Sequence, residues 1–329
     1  MNKPRCNEYD YISFLIATQR TYTCTEAARV QPKKEDAPHH DSLNRLLYRI
    51  EPSSESLWKE ARKHVNLKDG VLVLDDATLD KLYAEKIELV TWHWSGKHHK
   101  VIKGINLQTL LWTDGDSHIP VDYRIYQSDG KTKNEHFADL LMEAKQRGFS
   151  PKFVCFDSWY SSLDNLKIIK NLGWDWFTQL KSNRQVDPGY MGNRAIAEVD
   201  IPQEGRLVHL RGYGMIKVFK VVSQNGDIDY FATSFLGMDE LKWLTVKEKY
   251  WAIESYHRAI KQYCGVEKCQ ARLSIAQQNH IGFSIRAFLR IERFSFKTGI
   301  SWFEAKTQII REAVRNYLEN PIYENYLTA

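Results

Sequence analysis

Residues 71–76 read Val71-Leu72-Val73-Leu74-Asp75-Asp76 and follow a turn signal at Lys68-Asp69-Gly70. A continuous apolar run that is rich in β-branched residues predicts a strand buried on both faces of a sheet. Carboxylates are rarely buried unless a partner or a metal ion holds them. The acids after this run therefore predict one of two things: a cap for a following turn or helix, or a functional site.

The same pattern returns at Phe153-Val154-Cys155-Phe156-Asp157, where a second short apolar run ends in Asp. Two buried strands that bring Asp75 and Asp157 to the same end of one sheet would form an acidic pocket of the size of a metal site. For either Asp alone, capping is the simpler explanation. The recurrence, together with a third acid in a later helix, favours the pocket.

Length and composition describe a globular protein. The 329 residues allow one large domain or two to three smaller ones, and 43% are hydrophobic and 26% charged. The net charge of +5 is compatible with a polyanionic partner without requiring one. Ten Trp and 17 Tyr suit base stacking, although an aromatic core explains most of them.

The five cysteines show no CxxC spacing, which argues for a reducing compartment and against a zinc site. There is no run of 18 apolar residues and no signal-peptide pattern. We therefore expect a soluble, intracellular protein without a membrane partner.

Residues 1–66 are predicted to be helical. A short helix at 25–30 and a second at 41–49, which contains Asn44, Arg45 and Arg49, are compatible with a helix-turn-helix that binds DNA. A plain helical cap domain explains the same pattern, and both interpretations stay open.

The segment from 67 to 184 alternates strands and helices. Strands are predicted at 71–75, 101–112, 119–126, 153–157 and 174–180, and helices at 134–147 and 161–171. Three strands, a helix, a strand, a helix and a strand follow the order of the ribonuclease H-like fold, in which the first and fourth strands are neighbours. That α/β arrangement places Asp75 beside Asp157.

Residues 92–100 contain His93, His98 and His99 among basic residues. Acidic or Cys partners at metal-ligand spacing are missing, so a basic turn that contacts phosphate is favoured over a metal site.

Residues 185–238 break the α/β rhythm with short strands between Gly and Asn-Gly turns. We interpret them as an all-β insertion, after which helices continue almost to the end, including 274–298 and 301–318. The predicted division is a catalytic domain from 67–184 and 239–272, with helical regions at 1–66 and 273–329 flanking the mixed sheet.

The helix that follows the insertion presents Glu254, His257, Arg258 and Lys261 at helical spacing. A solvated helix with i,i+4 ion pairs is one explanation. The other is that Glu254 joins the two Asp residues while the basic side chains bind a phosphodiester.

These residues resemble the DDE transposases of bacterial insertion sequences, in the branch with the signature Y-x2-R-x3-E-x6-K. The spacing places Glu254 and Lys261 on the family's Glu and Lys, whereas Lys247 and Tyr250 replace its Tyr and Arg. Similar proteins share the strand that ends in Asp-Asp before Thr at 74–78, the motifs at 156–160 and 179–184, and the β insertion. The resemblance spans residues 65–270.

The resemblance implies that Asp75, Asp157 and Glu254 are the catalytic acids and hold two Mg²⁺ ions, with Mn²⁺ as a substitute. Asp76 is the alternative first acid. Asp75 is favoured because it follows its apolar run as directly as Asp157 does.

The same resemblance implies a set of DNA-binding residues, since basic side chains and an aromatic ring lie in the shared motifs. These are Lys261, Arg258, Lys181, Arg184 and Trp159.

The implied function is a DNA transposase that acts on double-stranded transposon ends and target DNA, as a homodimer in the DNA complex, in the bacterial cytoplasm at the nucleoid. The alternatives are a ribonuclease H-like nuclease without strand transfer, and a catalytically inactive, transposase-derived DNA-binding protein. Metal-dependent nicking and joining of a 3′ end distinguish the three.

Overall fold

The computed structural model describes residues 5–32, 37–96 and 98–321. Lys97 of the predicted basic turn lies outside them, and the predicted terminal regions are described in part. The chain forms two compact units. The first contains residues 1–53, 79–90 and 257–329, and the second contains residues 54–78 and 91–256.

Between residues 67 and 184 the described strands and helices follow the predicted order, with one additional strand at Thr91–Ser95. The strands are β1 Val71–Asp80, β2 Thr91–Ser95, β3 Lys100–Thr113, β4 His118–Ile125, β5 Phe153–Phe156, β6 Trp176–Leu180, β7 Gln185–Val186, β8 Arg194–Ala195, β9 Arg206–Leu210, β10 Gly214–Val222 and β11 Ile228–Thr233. The helices are α1 Glu8–Ala17, α2 Cys24–Arg29, α3 His40–Arg49, α4 Glu55–Ala61, α5 Lys133–Gln146, α6 Leu163–Asn171, α7 Glu240–Tyr250, α8 Ala252–Tyr263, α9 Ser274–Thr298 and α10 Trp302–Glu319.

The sheet has the strand order β2-β3-β1-β5-β6-β11-β10-β9, and β4 also pairs with β3. β1 is parallel to β5 and β5 to β6, whereas β3 and β4 are antiparallel. Parallel neighbours need a crossover, which α5 and α6 supply. β1 and β5 are buried at every residue of their shared ladder, as their apolar runs predict. This mixed sheet with helical terminal regions confirms the predicted ribonuclease H-like α/β fold.

Within the predicted insertion, β7 and β8 form a separate two-stranded sheet, whereas β9, β10 and β11 join the main sheet. β11 pairs with β6 in antiparallel register, and β10 and β9 continue outward from it. Phe177 of β6 stacks on Phe231 of β11 with ring centroids 5.5 Å apart, and Trp243 of α7 stacks on Phe219 of β10 at 5.3 Å. Aromatic packing on one face therefore joins these strands to the α/β sheet.

Two local predictions were wrong. Residues 92–95 belong to β2, because Trp92 and Trp94 alternate with the buried His93 and Ser95. The segment 197–201, which its sequence predicts as one of the short strands within 185–238, is not a strand, because a 3₁₀ turn occupies Ile196–Glu198 and Pro202 follows.

The first unit is a helical assembly in which α9 contacts α1, α3 and α10. Tyr11 of α1 and His280 of α9 share a hydrogen bond of 3.0 Å, and the other ring nitrogen of His280 lies 2.9 Å from the carbonyl of Gly265. Asn279 donates to the carbonyls of Leu47 and Ile50. No described helix is both long and apolar enough to cross a membrane.

Candidate active site

Asp75 and Asp157 follow matching positions on two parallel strands. The ladder of β1 and β5 pairs Leu74 with Phe156, and the next residue on each chain segment is an Asp. Neighbouring strands lie about 4.8 Å apart, so the two acids emerge side by side. β1 itself continues to Asp80, so Asp75 lies where its pairing with β5 ends, within a longer strand than predicted.

Asp157 also caps a short turn. Its side chain accepts a hydrogen bond of 2.5 Å from the N–H of Ser158, at the start of a 3₁₀ turn over Ser158–Tyr160. Asp157 therefore caps this turn, as the simpler explanation predicts. Its charge also acts on Asp75.

Asp75 lies among other acids. Burial raises the pKa of its carboxyl well above the ordinary 3.8, and the charges of Asp76, Asp157 and Glu254 raise that pKa further. The structure therefore brings the three predicted acids into electrostatic contact, with Asp75 in the most unfavourable position for a negative charge.

Tyr250, the last residue of α7, is affected electrostatically by the same three acids. Burial raises the pKa of its phenol well above 10.0, and the charges of Asp75, Asp157 and Glu254 add to the effect. Glu254 itself lies in the first turn of α8 and is exposed. The phenol is thus close to acids from β1, from the end of β5 and from α8.

Asp76 has a different environment from Asp75, because successive strand residues point to opposite faces. Its Oδ2 accepts from Lys133 Nζ at 2.8 Å and from Asn106 Nδ2 at 2.5 Å, and its Oδ1 accepts from the hydroxyl of Tyr160 at 2.6 Å. Burial acts to raise the pKa of Asp76, but Lys133 and these hydrogen bonds lower it overall. Asp76 is thus already paired within the protein.

A divalent cation suits the acids around Asp75. Their ligand atoms are all carboxylate oxygens, which Mg²⁺ and Mn²⁺ prefer, and a cation would offset the repulsion that raises the pKa of Asp75. Within 5–32, 37–96 and 98–321, no three His, Cys, Asp or Glu side chains converge on one point as a ready metal site. Coordination therefore requires the carboxylates to turn towards one another, for which Glu254 has an exposed side chain.

Three predicted DNA-binding residues lie near the ends of β5 and β6. Trp159 is 50% exposed, and its ring centroid lies 5.3 Å from Nζ of Lys133. Lys181 is exposed, and its carbonyl accepts from the N–H of Arg184 at 2.9 Å across the turn after β6. Arg184 is half-buried, and burial lowers its pKa.

The basic residues of α8 differ from one another. Arg258 is exposed, whereas Nζ of Lys261 lies 3.1 Å from Oε1 of Glu267 in an ion pair. The same Glu267 oxygen accepts from the N–H of Asp80. His257 is only 8% exposed and therefore does not share the exposure of Arg258.

The substituted signature positions have local roles. Nζ of Lys247 lies 5.1 Å from the ring centroid of Phe231 and 5.5 Å from that of Trp243, so it stacks over the aromatic cluster. Tyr250, where the resemblance leads one to expect Arg, lies close to the acids.

Sequence reasoning missed the residues that fix Asp76, which come from three separate segments. Asn106, Lys133 and Tyr160 have no spacing that links them to Asp76 or to one another. The Tyr160 hydroxyl also accepts from Gln108 at 3.0 Å. The only signal was the position of Tyr160 three residues after Asp157.

A family model described as transposase DDE domain matches residues 68–289. A piggyBac transposase in a synaptic complex with hairpin DNA matches with 11% identity and a TM-score of 0.55, over 99% of this chain and 75% of that chain. This likeness shows a common fold.

Two other transposase structures match too weakly to support an argument. The Mos1 strand transfer complex has 10% identity and a TM-score of 0.22, over 54% of this chain and 59% of that chain. The Drosophila P element transposase strand transfer complex has 10% identity and a TM-score of 0.30, over 98% and 88%.

The matched residues include the two parallel strands, the strands that extend their sheet, and the helix with Glu254. DDE transposases in general depend on divalent metal ions. The family match covers more than half of the sequence. This chain belongs to the transposase DDE domain family.

Proposed function

We propose that this DNA transposase cuts and joins phosphodiester bonds at the ends of an insertion sequence, with Asp75, Asp157 and Glu254 as its catalytic acids. The observation that supports this assignment most strongly is the register of β1 and β5, which pairs Leu74 with Phe156 and brings the following Asp residues together. Glu254 acts electrostatically on Asp75 and on the neighbouring Tyr250, and we add it as the third acid.

We assign Asp75, and not Asp76, as the first acid. Asp76 already accepts hydrogen bonds from three protein donors, so a cation would have to displace Lys133 from it. The charges of Asp76, Asp157 and Glu254 all raise the pKa of Asp75. A cation therefore gains more from Asp75, where it replaces repulsion with attraction.

The three acids would hold two Mg²⁺ ions, with Mn²⁺ as a substitute. The chemistry that such ions supply is charge stabilisation at the scissile phosphodiester and activation of a water or 3′-hydroxyl nucleophile. The protein contributes position: Asp75 and Asp157 are fixed by a buried parallel ladder, while Glu254 stands on a separate helix. The charges of all three acids raise the pKa of the Tyr250 phenol, which keeps it a neutral group beside them.

DNA would be bound by exposed basic and aromatic side chains. Arg258 and Lys181 are exposed, and Trp159 presents a half-exposed ring. Arg184 completes the turn that contains Lys181. Lys261 would contact phosphate in exchange for its ion pair with Glu267, so its contribution depends on how well phosphate competes with that carboxylate.

The partners follow from the same chemistry. We propose double-stranded transposon ends and target DNA as substrates and a homodimer in the DNA complex. The piggyBac transposase, which has the same fold, was observed in a synaptic complex with hairpin DNA. A bacterial insertion-sequence origin would place the protein at the nucleoid.

The division of labour along the chain is also a proposal. Residues 67–184 and 239–272 would form the catalytic domain, with 185–238 as its β insertion and 273–329 as a helical C-terminal region. Within 1–66, α3 has exposed Asn44 and Arg45, which a helix-turn-helix would use, whereas Arg49 donates to the carbonyl of Cys6 at 2.6 Å.

The test is to incubate the full chain with Mg²⁺ and duplex DNA from its own genomic flanks, and to map the products. We expect nicks at element ends and joined 3′ ends. Nicks without joining would indicate a nuclease. Binding without metal-dependent nicking would indicate an inactive DNA-binding protein and would contradict the proposal.

A further inference from the structure

The hairpin of β2 and β3 presents an aromatic face that the proposed active site does not use. β2 is an edge strand of the sheet, and Trp92 and Trp94 alternate along it with the buried His93 and Ser95. Each of the two Trp side chains is 66% exposed. Exposed Trp is costly in water, so two on the same face of an edge strand indicate a binding surface.

The face is basic as well as aromatic. The antiparallel register pairs Trp92 with Lys103 and Trp94 with Val101, which is 54% exposed. Nζ of Lys103 lies 5.6 Å from the centroid of the Trp92 ring, so a cation is already placed over it. Residues 91–104 contain three Lys and three His and no Asp or Glu.

We propose that Trp92, Trp94 and Lys103, named here the hairpin face, bind unpaired bases of a DNA strand by stacking. The proposal rests on the function proposed above, because it assigns a second DNA contact to the same enzyme. Residues two apart on a strand are separated by about 6.8 Å. Two rings at that spacing leave room for one base, which is about 3.4 Å thick.

Charge selects DNA over a protein partner for this face. Lys103 lies opposite Trp92 on this face and residues 91–104 contain no acid, which suits a DNA strand, because DNA carries a phosphate at every nucleotide. Stacking on aromatic rings with Lys beside them is the usual arrangement of proteins that bind single strands without sequence preference. A cut or distorted DNA end supplies such unpaired bases.

The experiment uses the full chain and two labelled probes, a short oligothymidylate and a blunt duplex of the same length, with binding followed by fluorescence anisotropy. The double variant Trp92→Ala/Trp94→Ala should bind oligothymidylate about fivefold or more weakly per ring and bind duplex as before. The double variant Trp92→Phe/Trp94→Phe retains aromatic rings and should bind nearly as the parent. Lys103→Ala should flatten the salt dependence for oligothymidylate by about 0.7.

Unchanged oligothymidylate affinity in the Ala double variant, with an unchanged melting temperature, would overturn the proposal. So would a loss of self-association, measured by sedimentation, with DNA binding intact, because that result would make the face a protein interface. Oligothymidylate binding needs no metal and no intact acids. The Asp157→Asn variant should therefore bind this probe normally, and a failure of cleavage is distinguishable from a failure of the hairpin face.

Discussion

Adjacent acids on β1 should respond in opposite directions when each is changed to its amide. Asp76→Asn removes the carboxylate that accepts from Lys133, Asn106 and Tyr160. Asp75→Asn instead removes a buried negative charge that Asp157, Glu254 and Asp76 repel. We expect Asp76→Asn to destabilise the fold and Asp75→Asn to stabilise it at neutral pH.

The magnitude for Asp76 follows from its ion pair. Removing one partner of a buried pair costs about 3–5 kcal/mol, because the other charge is left uncompensated. The side chains of Lys133 and Asp76 are 21% and 18% exposed, so water recovers part of that cost. We therefore expect a loss of about 2–3 kcal/mol. In a domain of 150–250 residues this lowers the melting temperature by about 4–12 °C.

The two effects also differ in pH dependence. The folded pKa of Asp76 is lowered, so its stabilisation is complete above its ordinary value of 3.8 and is lost as the pH falls through the folded value. The pKa of Asp75 is raised in the folded state, so the destabilisation of the fold by its carboxyl is absent below pH 3.8 and grows as the pH rises towards the folded pKa. The gain in stability from Asp75→Asn should therefore appear only above pH 3.8.

Thermal unfolding of both variants and the parent chain, in chelator and at several pH values, measures these differences. A destabilised Asp75→Asn protein beside an unaffected Asp76→Asn protein would refute the reasoning. It would mean that Asp75 is the paired acid and Asp76 the one that faces the other carboxylates.

Three further predictions concern the first unit and the basic residues of α8. Burial lowers the pKa of His280 from 6.5 to about 4, so the free energy of unfolding should be highest above pH 6.5 and should fall as the pH is lowered towards 4. The free energy of unfolding of the His280→Gln variant should vary less over this pH range than that of the parent chain. Gly265→Ala places a Cβ against the ring of Tyr22 at a φ of +63°, whereas the control Gly299→Ala has a φ of +73° and open space around the new Cβ. In urea unfolding, Gly299→Ala should lower the free energy of unfolding by about 1–2 kcal/mol, and Gly265→Ala should lower it further. Equal losses would contradict the predicted clash. Glu267→Gln removes the charge that competes for Lys261, and should tighten DNA binding and steepen its salt dependence, whereas weaker binding would show that the ion pair positions Lys261 for DNA.

The central strands and their acids were predictable because their signals are local. Apolar runs before Asp75 and Asp157 identify buried strands, and the right-handed crossover rule leaves few ways to arrange them. The two long C-terminal helices also show helical periodicity over many residues. These features need no knowledge of distant partners.

The remaining features depend on contacts that sequence spacing does not encode. The pairing of β11 with β6 joins segments about 50 residues apart, and the side chains around Asp76 come from three segments. The burial of His257 was not predictable, because helical periodicity gives relative positions on a helix and does not say which face is packed. The alternation that makes 92–95 a strand was hidden because the buried positions are His93 and Ser95.

The most direct test of the central claim is cleavage of end-sequence duplex in Mg²⁺ by four amide variants. Asp75→Asn, Asp157→Asn and Glu254→Gln should each nearly abolish cleavage while DNA binding persists, because each amide keeps the shape of the side chain and removes charge that offsets the cations. Asp76→Asn, assayed below its melting transition, should retain more cleavage than Asp75→Asn. A cleavage-competent Asp157→Asn or Glu254→Gln protein would contradict the assignment. An inactive Asp76→Asn protein together with an active Asp75→Asn protein would show that Asp76, and not Asp75, is the first catalytic acid.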